Sequence, residues 1–258
     1  MRSKEESVEE LRRSMEGITA EAAPGASAAE DIAAKIQQLI VENDLEAGAR
    51  LPSERDLAQT LQTSRPTVSQ AIRILVTKGL VESRRGSGAY VTRRPEAGLA
   101  ASVDLMLELN QDSVPQLADL RLWLETMGIT RAIECCTDEE IEACEAALAT
   151  LRDAAGDTAA WMSADTAFHA TVARASHNPY LASLFESVHA TLINYEYRAW
   201  IQEGTTPRWL RSTEVSAMAA LHDPILAALR SRDEEAGRVA VLHHHYVMAQ
   251  HLAQAHQL

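Results

Sequence analysis

Apolar residues recur every three or four positions along most of this chain, the period of a helix with one buried face. Ile32, Ile36, Leu39 and Ile40 mark such a face over 31–43. Leu57, Ala58 and Leu61 mark a short second helix over 54–61. Val68, Ala71, Ile72 and Leu75 mark a third, with Ser64 in position to cap its start and Gly79 to end it. The pattern then shifts to two short β-type runs, 80–83 and 89–92, around the turn Arg84, Arg85, Gly86, Ser87 and Gly88. A capped helix followed by a hairpin with a basic, glycine-rich tip predicts a winged helix-turn-helix. In such a unit the helix enters the major groove of DNA and the tip reaches the backbone or the minor groove.

Beyond residue 98 only the helical period remains. Ala and Leu dominate and no alternating β-branched run interrupts them. Seven helices are predicted, at about 99–110, 115–135, 138–154, 158–176, 180–203, 208–230 and 233–256. Thr137 with Asp138, Gly156, Asn178 with Pro179, and 204–207 mark breaks between them. The expected fold is mainly α, a winged helix-turn-helix followed by an all-α bundle. Residues 1–27, charged and then rich in Ala, Pro, Gly and Ser, read as a disordered tail. The DNA-binding domain is expected over 28–93, a linker over 94–98, and the helical effector-binding and dimerisation domain over 99–258.

Charge sharpens this division. The formal net charge is −13, which argues against a chain that coats nucleic acid along its whole surface. Residues 28–94 hold ten Lys or Arg against eight Asp or Glu, whereas 95–258 hold ten against twenty-three. A mildly basic head on an acidic body suits site-specific duplex binding by the head alone. Cys135, Cys136 and Cys144 match no zinc-binding spacing and fit reduced thiols. No apolar run approaches membrane-spanning length and the N-terminus lacks a signal-peptide core, so a cytoplasmic protein without a membrane partner is expected.

Candidate chemistry lies in the helical part. Asp165 and His169 are four apart, which places them one turn apart on a single helix face with Met162 and Val172. His222 shares a stripe with Met218, Ile225 and Leu229. His243, His244 and His245 are consecutive and cannot all face one way; His244 shares a face with Val241, Val247 and Met248. An inward carboxylate with inward imidazoles from three helices suits Zn²⁺, Ni²⁺ or Mn²⁺, with positions left for water or an incoming carboxylate.

Several motifs occur together in order. LPSERDLA at 51–58, SRPTV at 64–68, Ala71 to Leu75, KGLV at 78–81 and GSGAYV at 86–91 closely resemble the DNA-binding domain of the GntR family of bacterial transcription regulators. R-x-x-L-E at 121–125, D-x-x-F-H at 165–169, A-S-x-N-P at 175–179 and H-x-x-I-x-x-A-L at 222–229 resemble the effector domain of its FadR subfamily. The resemblance implies a metal held by Asp165, His169, His222 and His244, and its spacing selects His244 over its neighbours. It implies DNA contacts from Arg55, Ser64, Arg65, Thr67, Arg85 and Gly86. The family usually carries Arg-Glu after SR-x-TV, where this chain has Ser69 and Gln70. Ser69 thus occupies a contact position without its usual cation, which puts the operator sequence in doubt but not DNA binding.

The expected protein is a homodimeric regulator, a repressor rather than an enzyme, that binds a palindromic double-stranded operator and senses a small carboxylate through its metal. Arg121 is the candidate for a second carboxylate contact, or else pairs with Glu125 one turn on. Asn178 either bonds the effector or simply starts a helix. Two rival readings are a metal-free regulator responsive to fatty acyl groups and a metal-dependent hydrolase with a DNA-binding appendage. Four ligand-type residues argue against the first, and the lack of a general base at motif spacing against the second.

Overall fold

The computed structural model describes residues 25–93, 95–154, 156–207, 210 and 214–255. Most of the tail read over 1–27 therefore lies outside the described residues. The chain divides at Gly98 into two compact units.

The first unit begins with α1 (Ala28–Glu42), three residues earlier than periodicity predicts, because Ser27 and Glu30 form a reciprocal capping box. Next come α2 (Glu54–Thr60), capped by Ser53, and α3 (Arg65–Thr77), capped by Ser64 with Pro66 in its first turn. Gly79 follows with φ +70°, a left-handed conformation that glycine adopts without strain. Strands β1 (Val81–Arg84) and β2 (Gly88–Val91) pair antiparallel, Val81 opposite Val91 and Arg84 opposite Gly88. Ile36, Leu39, Ile40, Leu57, Val68, Ile72, Leu75, Val81 and Val91 close one core. That core fixes α3 and the hairpin as one rigid piece.

The second unit is helical. Residues 95–98, read as linker, belong instead to α4 (Pro95–Leu109), because proline at a first helical turn starts a helix as readily as it ends one. Then follow α5 (Val114–Cys135), α6 (Asp138–Asp153), α7 (Thr158–Arg174), α8 (Pro179–Glu203), α9 (Glu214–Ala220), α10 (Asp223–Ser231) and α11 (Glu234–Ala255). The single helix predicted over 208–230 is therefore broken after Ala220. Pro224 explains the break. It lacks an N–H and its ring clashes with the carbonyl four residues back, that of Ala220. The stripe Met218, His222, Ile225 and Leu229 hides the break, since its 4-3-4 spacing runs straight across it.

Ile129, Leu148, Leu151, Trp161, Phe168, Ile225, Leu229 and Val241 form the core of this unit. Helices α5 and α11 run antiparallel: Gly237 lies against Ile129 and Ile133, while Arg121 and Glu125 face His245. A Cβ on Gly237 would come within 2.5 Å of Ile133 Cδ1, so glycine permits this close approach. The contact brings the histidines of α11 against the polar residues of α5. No helix among the described residues is long and apolar enough to cross a membrane.

Candidate metal centre and nucleic-acid interface

Asp165, His169, His222 and His244 converge in the core of the second unit. All four are buried, and one ligand-type atom from each lies within 4.8 Å of the others. The pair on α7 meets by helical spacing. His222 arrives from the α9–α10 junction, and His244 from the inner face of α11. His222 Nε2 lies 3.1 Å from Asp165 Oδ1 and 3.1 Å from His169 Nε2.

The opposite edges of two of these rings are already committed. His222 Nδ1 is 3.2 Å from the Ala219 carbonyl, which can only accept, so Nδ1 carries the hydrogen. His169 Nδ1 lies 2.6 Å from Glu125 Oε1. Both Nε2 atoms therefore turn lone pairs toward each other and toward a carboxylate oxygen. Three acceptors 3.1–3.8 Å apart repel unless a proton or a cation sits among them. Ligands held about 2.0–2.2 Å from a divalent ion are themselves roughly 3.0–3.5 Å apart, so the spacing fits a metal. His244 makes the same point. It is 2% exposed and neither ring nitrogen has a hydrogen-bond partner among the described residues, a rare state for a buried polar group. The donor set fits a divalent ion such as Zn²⁺, Ni²⁺ or Mn²⁺.

Electrostatics agree. Burial, reinforced by His222 and His169, holds the His244 imidazole well below the ordinary histidine range. Burial also pushes His169 down, but Glu125 and Asp165 outweigh it and the ring ends above its usual range. Burial raises Asp165, yet His169, His189 and His222 more than offset this and keep it a carboxylate. A neutral His244 and an ionised Asp165 are forms that bind metal, whereas the raised proton affinity of His169 makes a proton the competitor that a cation has to displace.

The roles of three residues of this neighbourhood escape sequence reasoning, which reads Glu125 only as a candidate partner of Arg121. Glu125 bridges His169 and His245, with Oε2 2.5 Å from His245 Nε2, and fixes the orientation of His169. His245 was passed over in favour of His244, yet it links Glu125 to Arg121, whose Nη2 is 3.3 Å from His245 Nδ1. His189 of α8 is 1% exposed, with Nε2 3.4 Å from Asp165 Oδ2. Its only signal was a shared face with Phe185 and Leu192.

Arg121 is buried, and its Nε has no hydrogen-bond partner among the described residues. The carboxylate of Glu125 goes to the two histidines, and no Arg121–Glu125 ion pair forms at 4 Å or less. Asn178 does not join the cluster. It is exposed, and its Oδ1 accepts from the amides of Tyr180 and Leu181 at 3.1 Å each, the work of an N-cap. Tyr197 is buried and stacks with Trp200 at 5.6 Å, a packing contact.

In the first unit Arg55, Ser64, Arg65, Arg85 and Gly86 are exposed, and Thr67 and Ser69 are half-buried. Ser64 Oγ lies 2.7 Å from Thr67 Oγ1 and accepts from the Thr67 amide, so both hydroxyls sit at the N-terminus of α3. Arg84 stacks on Tyr90, 4.3 Å from its ring centre, and pairs with Glu82, which leaves Arg85 at the tip. Arg73, not singled out from sequence, is exposed one turn beyond Ser69 on the same face of α3. Helical spacing from Arg65 through Ser69 was its signal.

Residues 28–91 match the family of bacterial regulatory proteins named after GntR, and residues 116–247 match the FCD domain. The chain is 30% identical over 225 residues to the Uxu operon transcriptional regulator of Escherichia coli, spanning 83% of this chain and 82% of that protein. This chain belongs to the GntR family. Its FCD-type second unit resembles that of the FadR subfamily, and its relatives are transcription regulators rather than enzymes. They include the repressor NanR of Cronobacter sakazakii, 28% identical over 83% of this chain and 82% of that one. The regulator LutR of Bacillus subtilis is 28% identical over 80% of this chain and 92% of that one. A solved GntR structure from Streptococcus agalactiae superposes with a TM-score of 0.66 at 26% identity, covering 86% of this chain and 99% of that one.

Proposed function

We propose that this GntR-family regulator is a metabolite-responsive repressor that acts in the cytoplasm as a homodimer on a palindromic operator. Its second unit senses a small organic acid through a divalent metal held by Asp165, His169, His222 and His244. The observation that carries this reading is the convergence of two imidazole Nε2 atoms and a carboxylate oxygen on one point, beside a His244 with neither nitrogen hydrogen-bonded among the described residues. An open metal position would take the effector's carboxylate. Arg121, buried with a free Nε, supplies a second contact to it.

On the DNA side, Arg65 reads guanine from the start of α3. Ser64 and Thr67 bind phosphate, Arg55 supports them, and Ser69 leaves a gap in the usual contacts. Arg85 and Gly86 bring the wing tip to the backbone or minor groove. Ligand occupancy then biases the placement of the DNA-binding heads. The decisive test is elemental analysis after purification without chelator, beside a gel shift on the DNA upstream of the protein's own gene. About one divalent ion per chain and a specific shift are expected. A protein that holds no metal and takes up no added Zn²⁺, Ni²⁺ or Mn²⁺ refutes the centre; absence of a specific shift refutes the regulator.

A further inference from the structure

Most cations of the first unit are already engaged. Lys35, Arg55, Arg84 and Arg93 each lie 3.7 Å or less from a carboxylate, and Lys78 bonds Gln37. Arg50, Arg65, Arg73 and Arg85 are exposed, and none has an ion pair or a side-chain hydrogen bond among the described residues. Cations left without a partner on one small domain are available to an outside anion. Arg65 and Arg85 are contacts that the family resemblance already implies. Arg50 and Arg73 are not.

Arg50 belongs to the wing. Its backbone bridges Tyr90 of β2 in antiparallel fashion, so it sits beside the hairpin. Its side chain runs toward the tip: a Cβ built on Gly88 would lie 3.5 Å from Arg50 Nε and 3.7 Å from its Nη2. Arg84, next to the tip, is held by Glu82 and Tyr90. Arg50 is therefore the second free cation of the wing, beside Arg85. Arg73 belongs to α3. At 1.5 Å per residue it lies about 6 Å beyond Ser69 and about 12 Å beyond Arg65 along the helix axis. Steps of four residues turn only about 40°, so the three positions share one flank of the helix.

We infer that Arg50 and Arg73 are contacts to the DNA phosphates, one beside the wing tip and one at the far end of α3 from the base-reading Arg65. The inference rests on the DNA-binding reading above and adds two residues to its interface. Groove dimensions assign Arg73 its target. The major groove is about 8.5 Å deep and about 12 Å wide. Whether α3 enters it end-on or crosses it, a residue about 12 Å from the base-reading end is level with the bordering phosphates. The cation that the family usually carries at position 69 is replaced here by one a turn further back. Phosphate contacts fix register and supply affinity but carry no sequence information. Arg50 and Arg73 thus restore the grip on the duplex that Ser69 gives up, without restoring base discrimination.

Anisotropy titrations of the full-length protein test the inference, on a duplex of random sequence and on the DNA upstream of its own gene. Salt is varied between about 50 and 200 mM. Each phosphate contact contributes about 0.9 to the slope of log affinity against log salt. Arg50→Ala and Arg73→Ala should each flatten that slope by about 0.9 per bound chain, and the double variant by about twice as much. Lys35→Ala removes the same charge from a pair with Asp31, and should change the slope far less. Helical content should match the wild type in every variant. Both arginine variants should weaken binding to the two duplexes by the same factor, whereas Arg65→Ala should lower the ratio between them. The inference is overturned if either arginine variant flattens the slope no more than Lys35→Ala does. It is also overturned if Arg73→Ala weakens only the upstream DNA, which would make Arg73 a base reader. A wild type with no salt-dependent affinity for either duplex removes the DNA-binding reading itself, and this inference with it.

Discussion

Replacing His244 by leucine separates a metal centre from an ordinary buried polar cluster by the sign of the stability change. Leucine is close to histidine in volume, so the substitution leaves little cavity. In chelator the wild type carries the His244 ring buried, uncharged and without a partner for either nitrogen. An unpaired buried polar group costs about 1–3 kcal/mol, and leucine removes that cost. The variant should then be more stable than the wild type by about 2 kcal/mol, roughly 4–8 °C in Tm for a unit of this size. Zinc reverses the order. At a free concentration a thousandfold above Kd, a bound ion stabilises the native state by about 4 kcal/mol, or roughly 8–16 °C. The variant, short of one ligand, should gain little. Thermal unfolding followed by circular dichroism, with chelator and with zinc, reads both shifts. A wild type indifferent to zinc, with His244→Leu less stable under both conditions, would show that His244 is a packing residue.

Three further outcomes are expected. Burial raises the Glu196 carboxyl in the folded state to about 7, so its contribution to stability is complete below the unfolded value near 4.5 and is lost as pH rises through 7. Wild type minus Glu196→Gln stability, from urea titrations, should therefore fall by up to about 3 kcal/mol between pH 5 and pH 8, and a flat difference would contradict the burial argument. Arg65→Ala should weaken specific operator binding by about 1–3 kcal/mol, and Arg85→Ala should lower the slope of binding against salt; equal affinity of Arg65→Ala and wild type in anisotropy titrations would remove Arg65 from the base contacts. His169→Ala should abolish the effector's change in operator affinity, itself roughly five- to 150-fold, while leaving effector-free DNA binding in place; a full response in this variant would move the effector's anchor elsewhere.

The winged unit was legible because each of its devices is local. Ser64 caps α3 within three residues, Gly79 ends it by backbone conformation, and the arginines of the turn follow from adjacency. Strand limits shifted by one residue, as hairpin ends do when alternation over four residues is all the signal available. The α7 pair was equally legible, since i and i+4 on one helix need no tertiary knowledge. His222 kept its inward direction although the helix assigned to it breaks at its position. Glu125, His245 and His189 were not legible. Each is a single polar residue in a mostly apolar helix face, and what gives it a role is a partner on another helix 24 to 120 residues away. Asn178 shows the converse: beside a proline, its local capping role was the simpler reading and is the one the fold uses.

The chain order of the four converging side chains has a mechanical consequence. Asp165 and His169 come from α7, His222 from the α9–α10 junction and His244 from the last helix. An ion shared by them closes a loop of about 80 residues, on the scale where a covalent cross-link removes roughly 4–5 kcal/mol of chain entropy from the unfolded state. Unlike a disulfide, such a staple opens with chelator or acid rather than reductant. The C-terminal helix would then be fastened to the rest of its unit according to metal supply, so that scarcity of the ion loosens the sensor before any effector is present.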